Sequence, residues 1–266
     1  MKTVRLRGGL SNQLFGLAFA HSVGILSGAP VQLEVSGFDR DRHGRRFLLG
    51  ALAARLGLAV GHRPISSHRL VAAAMAVAPW GPWVRERHPP PRLRGLREMA
   101  RRGATFDGYW QNEAYMAEPA AIRRPIRAFL EARGGPALAH EVVIHCRSYA
   151  EEPRPDRREG PDAAFYRRAM AAIEARHGPT GDIGLVCDDP DLARERLGAL
   201  GRRVTVLRGA DAFADMTILL KARSLILANS SFSWWGGFCG EAETVIYPRR
   251  VGLFHYPIPA ARFTVL

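Results

Sequence analysis

The sequence predicts an α/β protein with mostly parallel sheet, and three observations lead to this fold class. Short apolar runs of strand length alternate along the chain with longer segments of helical periodicity. Hydrophobic residues make up 47% of the 266 residues and charged residues 24%, as in a soluble globular protein with a substantial core. Polar or glycine-rich segments directly follow several of the apolar runs, which is where ligands bind in parallel sheets.

The first part of the chain begins with a strand, a glycine turn, a helix and a second strand. A strand is predicted at residues 3–6, a helix from the glycine turn to about residue 27, and a strand at residues 31–35. A second helical pattern covers residues 48–56. The proline-rich and arginine-rich residues 63–103 are the least regular part of the sequence.

The second part of the chain alternates more regularly. Strands are predicted at residues 141–145, 183–187, 204–207, 225–228 and 244–247, and helices at residues 163–176, 192–200 and 213–222. Residues 125–139 contain Pro, Gly-Gly and Pro, which favours an interdomain segment. We therefore expect two domains, residues 1–130 and residues 131–266.

The chain is strongly basic, with a formal net charge of +13. Only Lys2 and Lys221 are lysines, and a skew toward arginine also arises in GC-rich genomes, so it is weak evidence of function. The dense basic stretch at residues 85–102 lacks interleaved aromatic residues, which argues against a nucleic-acid stacking surface. We therefore expect no nucleic-acid partner.

Several features favour a cytoplasmic protein. The three cysteines lie far apart in or beside apolar runs, as reduced core cysteines do, and no secretory signal pattern opens the chain. The apolar run at residues 70–77 is too short to span a membrane. With Trp80 and Trp83 beyond it, this run fits either a buried helix or a peripheral contact with the inner face of the membrane.

Two polar segments are candidate binding sites in the predicted alternation. Gly8-Gly9-Leu10-Ser11-Asn12-Gln13 combines glycines that permit close backbone approach with two amides beyond what a helix cap needs. Asn229 to Gly237 places Asn, three Ser and two Trp after a buried strand. These residues could present hydroxyls and N–H groups to an anion, or they could cap the next helix and fill the core.

Charged residues follow two other predicted strands. Arg147, after His145-Cys146, is costly to desolvate unless an anion such as a diphosphate neutralises it. A pair with Glu151, Glu152 or Asp156 is the structural alternative. Asp188-Asp189 follows the strand at residues 183–187, and one of the two carboxylates is accounted for by capping the helix that starts near Pro190.

In this order, these segments resemble glycosyltransferase family 11, the α-1,2-fucosyltransferases in their bacterial form. Gly8 to Phe15 is similar to the family's opening Gly-Gly-Leu-Gly-Asn-Gln-Leu-Phe. Residues 33–38 and 107–115 are similar to the segments that follow in the family, and Cys187-Asp188-Asp189 to its Phe-Ser-Asp-Asp. Asp215 to Gly237 carries the longest similarity, to a pattern that begins with Asp and ends in Ala-Asn-Ser-Ser-Phe-Ser-Trp-Trp-Gly.

The resemblance implies a GT-B-type fold of two Rossmann-like domains with the donor site in the cleft. It also implies GDP-fucose as donor, inversion at the anomeric carbon, and no cofactor or metal. Arg147 would stabilise the departing GDP, His145 would touch guanine or ribose, and Asp215 would accept two hydrogen bonds from guanine. Further donor contacts would come from Ser230, Ser231, Phe232 and Ser233, and cleft contacts on the N-terminal side from Gly9, Asn12 and Gln13.

The resemblance is incomplete after Arg147. The family has His-x-Arg-x-Gly-Asp-Tyr, whereas this chain continues from Arg147 with Ser148-Tyr149-Ala150-Glu151, so Glu151 is the candidate base for the acceptor hydroxyl. The expected activity is transfer of fucose to a glycan, α-1,2 to galactose, with lipid-linked glycans among the candidate acceptors. Transfer of another sugar or linkage, and an inactive GDP-sugar-binding protein, are the alternatives.

Overall fold

The computed structural model describes residues 1–62, 82–86, 89–148, 160–249 and 259–266. The chain divides into two compact units, Met1–Ile122 and Arg123–Leu266. The sequence placed the domain boundary after residue 130. Among the described residues, each unit contains one sheet whose strands all pair in parallel.

The first unit has a five-stranded sheet with the strand order β3-β2-β1-β5-β4. Its strands are β1 (Lys2–Arg5), β2 (Val31–Glu34), β3 (Ala59–Gly61), β4 (Trp83–Arg85) and β5 (Thr105–Asp107). Its helices are α1 (Leu10–Ser27), α2 (Gly50–Arg55) and α3 (Leu93–Arg102), with 3-10 turns at Ser36–Arg40 and Glu113–Tyr115.

The second unit has a six-stranded sheet with the strand order β11-β10-β9-β6-β7-β8. The strands are β6 (Val142–Cys146), β7 (Ile183–Cys187), β8 (Val204–Val206), β9 (Ser224–Ile226), β10 (Thr244–Tyr247) and β11 (Thr264–Val265). Helix α4 (Pro119–Gly134) crosses the point of division. It is followed by α5 (Ala163–His177), α6 (Pro190–Leu197), a 3-10 turn (Gly198–Leu200), α7 (Ala212–Lys221) and α8 (Ser231–Cys239).

Two Rossmann-like units, the composition of a GT-B-type fold, confirm the predicted α/β class. Every predicted strand and helix is present, with bounds that shift by a few residues. The three cysteines are free thiols, and Cys146 and Cys239 are buried. In the described ranges, no helix is long and apolar enough to cross a membrane. The apolar run at residues 70–77 lies outside those ranges.

Most of the predicted interdomain segment at residues 125–139 is helical, because α4 continues through Pro125 to Gly134. Its apolar residues Ile122, Ile126 and Leu130 recur every four positions, and all are buried. A proline inside a helix removes one hydrogen bond and crowds the preceding turn, and the burial of this stripe offsets that cost. Within residues 63–103, the least regular part of the sequence, the structure contains β4 and α3.

The strand before the Asn229 to Gly237 segment ends earlier than predicted. Strand β9 stops at Ile226, and the residues from Ser231 onward form α8 rather than an extended strand end. Trp234 and Trp235 are fully buried, and the Trp234 ring stacks on Phe238 with centroids 4.7 Å apart. The two tryptophans are therefore packing residues that hold α8 in place.

Helix α8 packs closely against α7 at Gly236. A methyl group added to Gly236 would lie 2.6 Å from the Cβ atom of the fully buried Leu219. No ordinary Cβ contact is that short, so only glycine permits this approach of the two helices.

We expect Gly236→Ala to lower the free energy of unfolding by about 1–3 kcal/mol, because the added methyl overpacks the contact between the helices. Gly198→Ala is the matched control, since the new methyl would meet nothing within 4 Å and its φ of −55° suits alanine. Urea unfolding followed by circular dichroism measures both. Equal stabilities of the two variants would contradict the close approach.

Candidate functional site

The candidate site lies where the second sheet reverses its strand order. From β6 the chain moves to β7 on one side, and later it returns to form β9 on the other side of β6. The segments that leave β6 and β9 at their carboxyl ends therefore diverge. Such a switch point leaves a crevice in which α/β proteins bind ligands.

His145 lies near the end of β6 and is 5% exposed. Its ring is 5.8 Å from the ring of Phe232 in the first turn of α8. Burial lowers the pKa of His145 to about 4, and the positive charge of Arg147 acts in the same direction. The imidazole is thus neutral at pH 7. Its Nδ1 atom is buried and, within the described residues, has no hydrogen-bond partner.

Arg147 forms an ion pair with Asp188, the residue that follows β7. The Nη1 atom of Arg147 lies 2.6 Å from Oδ2 of Asp188. Ser148 donates to the same carboxylate through its backbone N–H and its hydroxyl, both at 2.8 Å. Asp188 thereby holds the loop after β6 and orients the guanidinium, which is 38% exposed. This positioning role of Asp188 was not predicted.

Asp189, the second carboxylate of the pair, caps α6. Its side chain accepts hydrogen bonds from the backbone N–H groups of Asp191 and Leu192, and Pro190 is the first helical residue. This confirms the capping interpretation for one of the two carboxylates. Within the described ranges, no group of three or more His, Cys, Asp and Glu side chains could hold a metal ion.

The start of α8 brings Ser230, Ser231 and Phe232 to the same edge of the sheet. The hydroxyl of Ser230 caps the helix by accepting from the N–H of Phe232 at 3.2 Å. The first turn contains no carboxylate, so no acidic side chain there neutralises the positive end of the helix dipole. The hydroxyl of Ser233 is buried and donates to the carbonyl of Ala228 at 3.3 Å, which gives it a structural function.

Asp215 lies in the first turn of α7, which packs against α8. Its Oδ1 atom accepts the N–H of Gly209 at 2.6 Å. Within the described part of the chain, Asp215 makes no hydrogen bond or ion pair with His145 or Phe232. Its second carboxylate oxygen remains available there. Glu151, the candidate base, lies outside the described residues.

The predicted residues of the first unit surround the glycine turn before α1. Gly9 is the N-cap residue of α1, and the side chain of Asn12 accepts from Gln111 at 2.7 Å. Gln13 is fully buried, and its amide donates to the carbonyls of Gly8 and Arg46. It also accepts from the N–H of Leu48. Gln13 therefore braces the loop before α2, and a ligand could reach its amide only by breaking these bonds.

The second unit thus combines three features that suit an anionic nucleotide. These are a neutral histidine with an unpaired buried nitrogen, an arginine held by Asp188, and a helix start without acidic residues. A guanidinium and a helix N-terminus can bind a diphosphate, and aromatic rings such as Phe232 can pack against a ribose or base.

Because the pKa of His145 lies below that of an exposed histidine, we expect stability to fall as the pH drops from 6.5 toward 4. In this window the unfolded chain binds a proton that the folded chain does not, at a cost of up to about 3 kcal/mol. His145→Gln should remove this contribution. Urea unfolding of both proteins at several pH values gives the contribution of His145 as the difference between their free energies of unfolding. If the two free energies change with pH in parallel, His145 is not a neutral buried histidine.

Comparisons with known proteins found similarity in solved structures alone. No family model and no curated protein matches the chain. The NodZ α-1,6-fucosyltransferase soaked with GDP-fucose has 15% identity and a TM-score of 0.45, over 90% of this chain and 91% of that chain. FUT1 of Arabidopsis thaliana in complex with GDP has 12% identity and a TM-score of 0.48, over 99% and 72%. The E. coli heptosyltransferase WaaC with ADP has 13% identity and a TM-score of 0.47, over 100% and 92%.

Proposed function

We propose that this chain is an inverting glycosyltransferase that transfers L-fucose from GDP-fucose to a glycan hydroxyl. The acceptor is galactose, the linkage is α-1,2, and the product contributes to a surface polysaccharide. The observation that carries the proposal is the meeting of His145 and Phe232 at the switch point of the second sheet, next to Arg147. Phe232 belongs to the segment from Asp215 to Gly237, which carries the longest resemblance to fucosyltransferases.

The proposed chemistry is a direct displacement. The acceptor oxygen attacks the anomeric carbon while the bond from that carbon to the phosphate oxygen breaks, and GDP departs with the electron pair. Arg147 and the N-terminal end of α8 stabilise the charge that develops on the departing diphosphate. In this proposal Glu151 takes the proton of the acceptor hydroxyl, and no metal ion takes part.

The proposed base contacts use His145 and Asp215, which keep hydrogen-bonding capacity within the described residues. Nδ1 of His145 bonds guanine or ribose, and Asp215 accepts from the N1–H and exocyclic amine of guanine. The second oxygen of Asp215 is available for this, while Oδ1 also keeps the bond from Gly209. Ser230, Ser231 and Phe232 line the phosphate side, and Ser233 holds the loop behind them.

We expect Arg147→Ala to lower the acceptor-dependent rate of GDP release from GDP-fucose by about 10²–10³-fold, because the leaving group loses its main cationic partner. The assay is run with a panel of β-galactosides and excess EDTA. Arg194→Ala removes an exposed arginine of α6 and is the matched control, with an expected rate equal to that of the unaltered protein. Unchanged turnover in Arg147→Ala would refute the leaving-group assignment.

The same assay distinguishes the alternatives. GDP-fucose binding without turnover on any acceptor would identify a GDP-sugar-binding protein, and turnover with another GDP-sugar would change the donor. Loss of turnover in EDTA that is restored by a divalent cation would overturn metal independence.

Asp215→Asn tests the guanine contact. We expect the unaltered protein to bind GDP about tenfold more tightly than inosine diphosphate, which lacks the exocyclic amine. The variant should lose this preference, because an amide cannot accept from both guanine donors. Asp191→Asn, at an exposed carboxylate of α6, is the control and should keep it. Isothermal titration with both nucleotides measures the ratio, and an unchanged ratio in Asp215→Asn would remove Asp215 from the guanine site.

A further inference from the structure

The first unit contains a cavity of about 370 Å³ that the proposed donor site does not use. It lies at the carboxyl ends of β1 and β2, and Tyr109, two residues after β5, lines it as well. The order β3-β2-β1-β5-β4 places the switch point of this sheet between β1 and β5. The first unit therefore has a crevice where α/β sheets bind ligands, and its volume suits one or two sugar rings.

Glu34, which lines the cavity, and Asp107, which pairs with two of its arginines, are already engaged by protein groups. Glu34 is 2% exposed and accepts from Nε of Arg5 at 3.0 Å and from the N–H and hydroxyl of Ser36. Asp107 forms ion pairs with Arg5 and Arg7. These acids hold the cavity together, and little of their accepting capacity remains for a ligand.

Two of the arginines that line the cavity, Arg45 and Arg7, keep unspent donors within the described residues. The exposed Arg45 lines the cavity, and within the described residues its guanidinium makes no hydrogen bond or ion pair, although its charge acts on Asp41. Asp41 is occupied in part by the backbone N–H groups of His43 and Arg45. In the described part of the chain, Arg7 uses one nitrogen, Nη2, for Asp107. The cavity therefore offers positively charged donors in excess of acceptors.

Aromatic side chains form another part of the wall. Tyr109 is 44% exposed and lines the cavity with Phe38. The next residue, Trp110, has a φ of 58°, which is a strained conformation for a residue with a side chain. Trp110 is nevertheless buried and stacks on Phe19 with centroids 3.8 Å apart. This packing fixes the turn, and with it the exposed ring of Tyr109.

We infer that this cavity binds an acidic sugar, in which a carboxylate on the pyranose ring pairs with Arg45 and Arg7. The planar oxygens of a carboxylate match the guanidinium fork, and the apolar face of a sugar ring packs against Tyr109 and Phe38. This inference rests on the proposed function, because there the bound sugar is part of the acceptor, a glycan that contains a uronic acid. The site itself is defined by the cavity alone.

The test compares methyl galactopyranosiduronate with methyl galactopyranoside, which differ at C6 alone. Both are titrated into the whole protein in the absence of donor, and chemical-shift changes give the two affinities. We expect the uronide to bind about five- to tenfold more tightly, and Arg45→Gln to remove that advantage without weakening the neutral sugar. Arg40→Gln removes an exposed positive charge from the neighbouring 3-10 turn, outside the cavity lining, and should leave both affinities unchanged.

Equal binding of the two sugars, or an equal loss in Arg45→Gln and Arg40→Gln, would overturn the inference. A 6-sulfated galactoside that binds more tightly than the uronide would reassign the ligand to sulfated sugars and refute the carboxylate assignment. GDP-fucose binding is measured separately on the same samples. A failure of the proposed function therefore appears as lost donor binding, and a failure of this inference as lost uronide preference.

Discussion

The parallel pairing of β6 with both β7 and β9 is the constraint on which the candidate site depends. All five residues of β6 are buried, and its register aligns Cys146 with Cys187 and Ile144 with Ile226. The residues that follow the strands therefore emerge at the same level. Arg147 and Asp188 are the first residues beyond the aligned cysteines, which places their side chains within 2.6 Å.

This ion pair explains how an arginine is held at the end of a buried strand before any ligand binds. A guanidinium there would lose hydration without compensation if it were alone. Asp188 compensates it and is itself fixed by two bonds from Ser148. The ion pair with Asp188 thus compensates the desolvation of Arg147, and the guanidinium is already oriented when an anion binds.

The sequence predicted the strands, the fold class and the residues at the strand ends, because apolar runs and the polar residues after them are local signals. The Arg147–Asp188 pair was out of reach, since it requires knowing that β6 and β7 are neighbours in register, and nearer acids along the chain competed as partners. Pro125 suggested a break in the chain that the structure does not have, for a related reason. The strength of α4 comes from burial of Ile126 and Leu130, which a local breaker signal does not report.

The two ends of α8 differ in charge: arginines bond the carbonyls at its C-terminal end, whereas its N-terminal end has no charged side chain. The arginines also account for part of the chain's positive charge. At the C-terminal end, Arg123 donates to the carbonyl of Gly240, and Arg262 donates to the carbonyls of Gly240 and Ala242. Burial lowers the pKa of Arg262, so its guanidinium gives up hydration to satisfy these carbonyls. These arginines belong to the scaffold, and they show that a net charge of +13 need not reflect a nucleic-acid surface.

At the N-terminal end of α8, the first turn has no carboxylate, and its one capping group, the hydroxyl of Ser230, is neutral. An acidic residue at this end of a helix would add about 0.3–1 kcal/mol of stability. The N-terminal end of α8, where Phe232 contacts His145, lacks this stabilising carboxylate. Such an omission is consistent with a site whose negative charge comes from the ligand, because a resident carboxylate would repel a diphosphate in the same place.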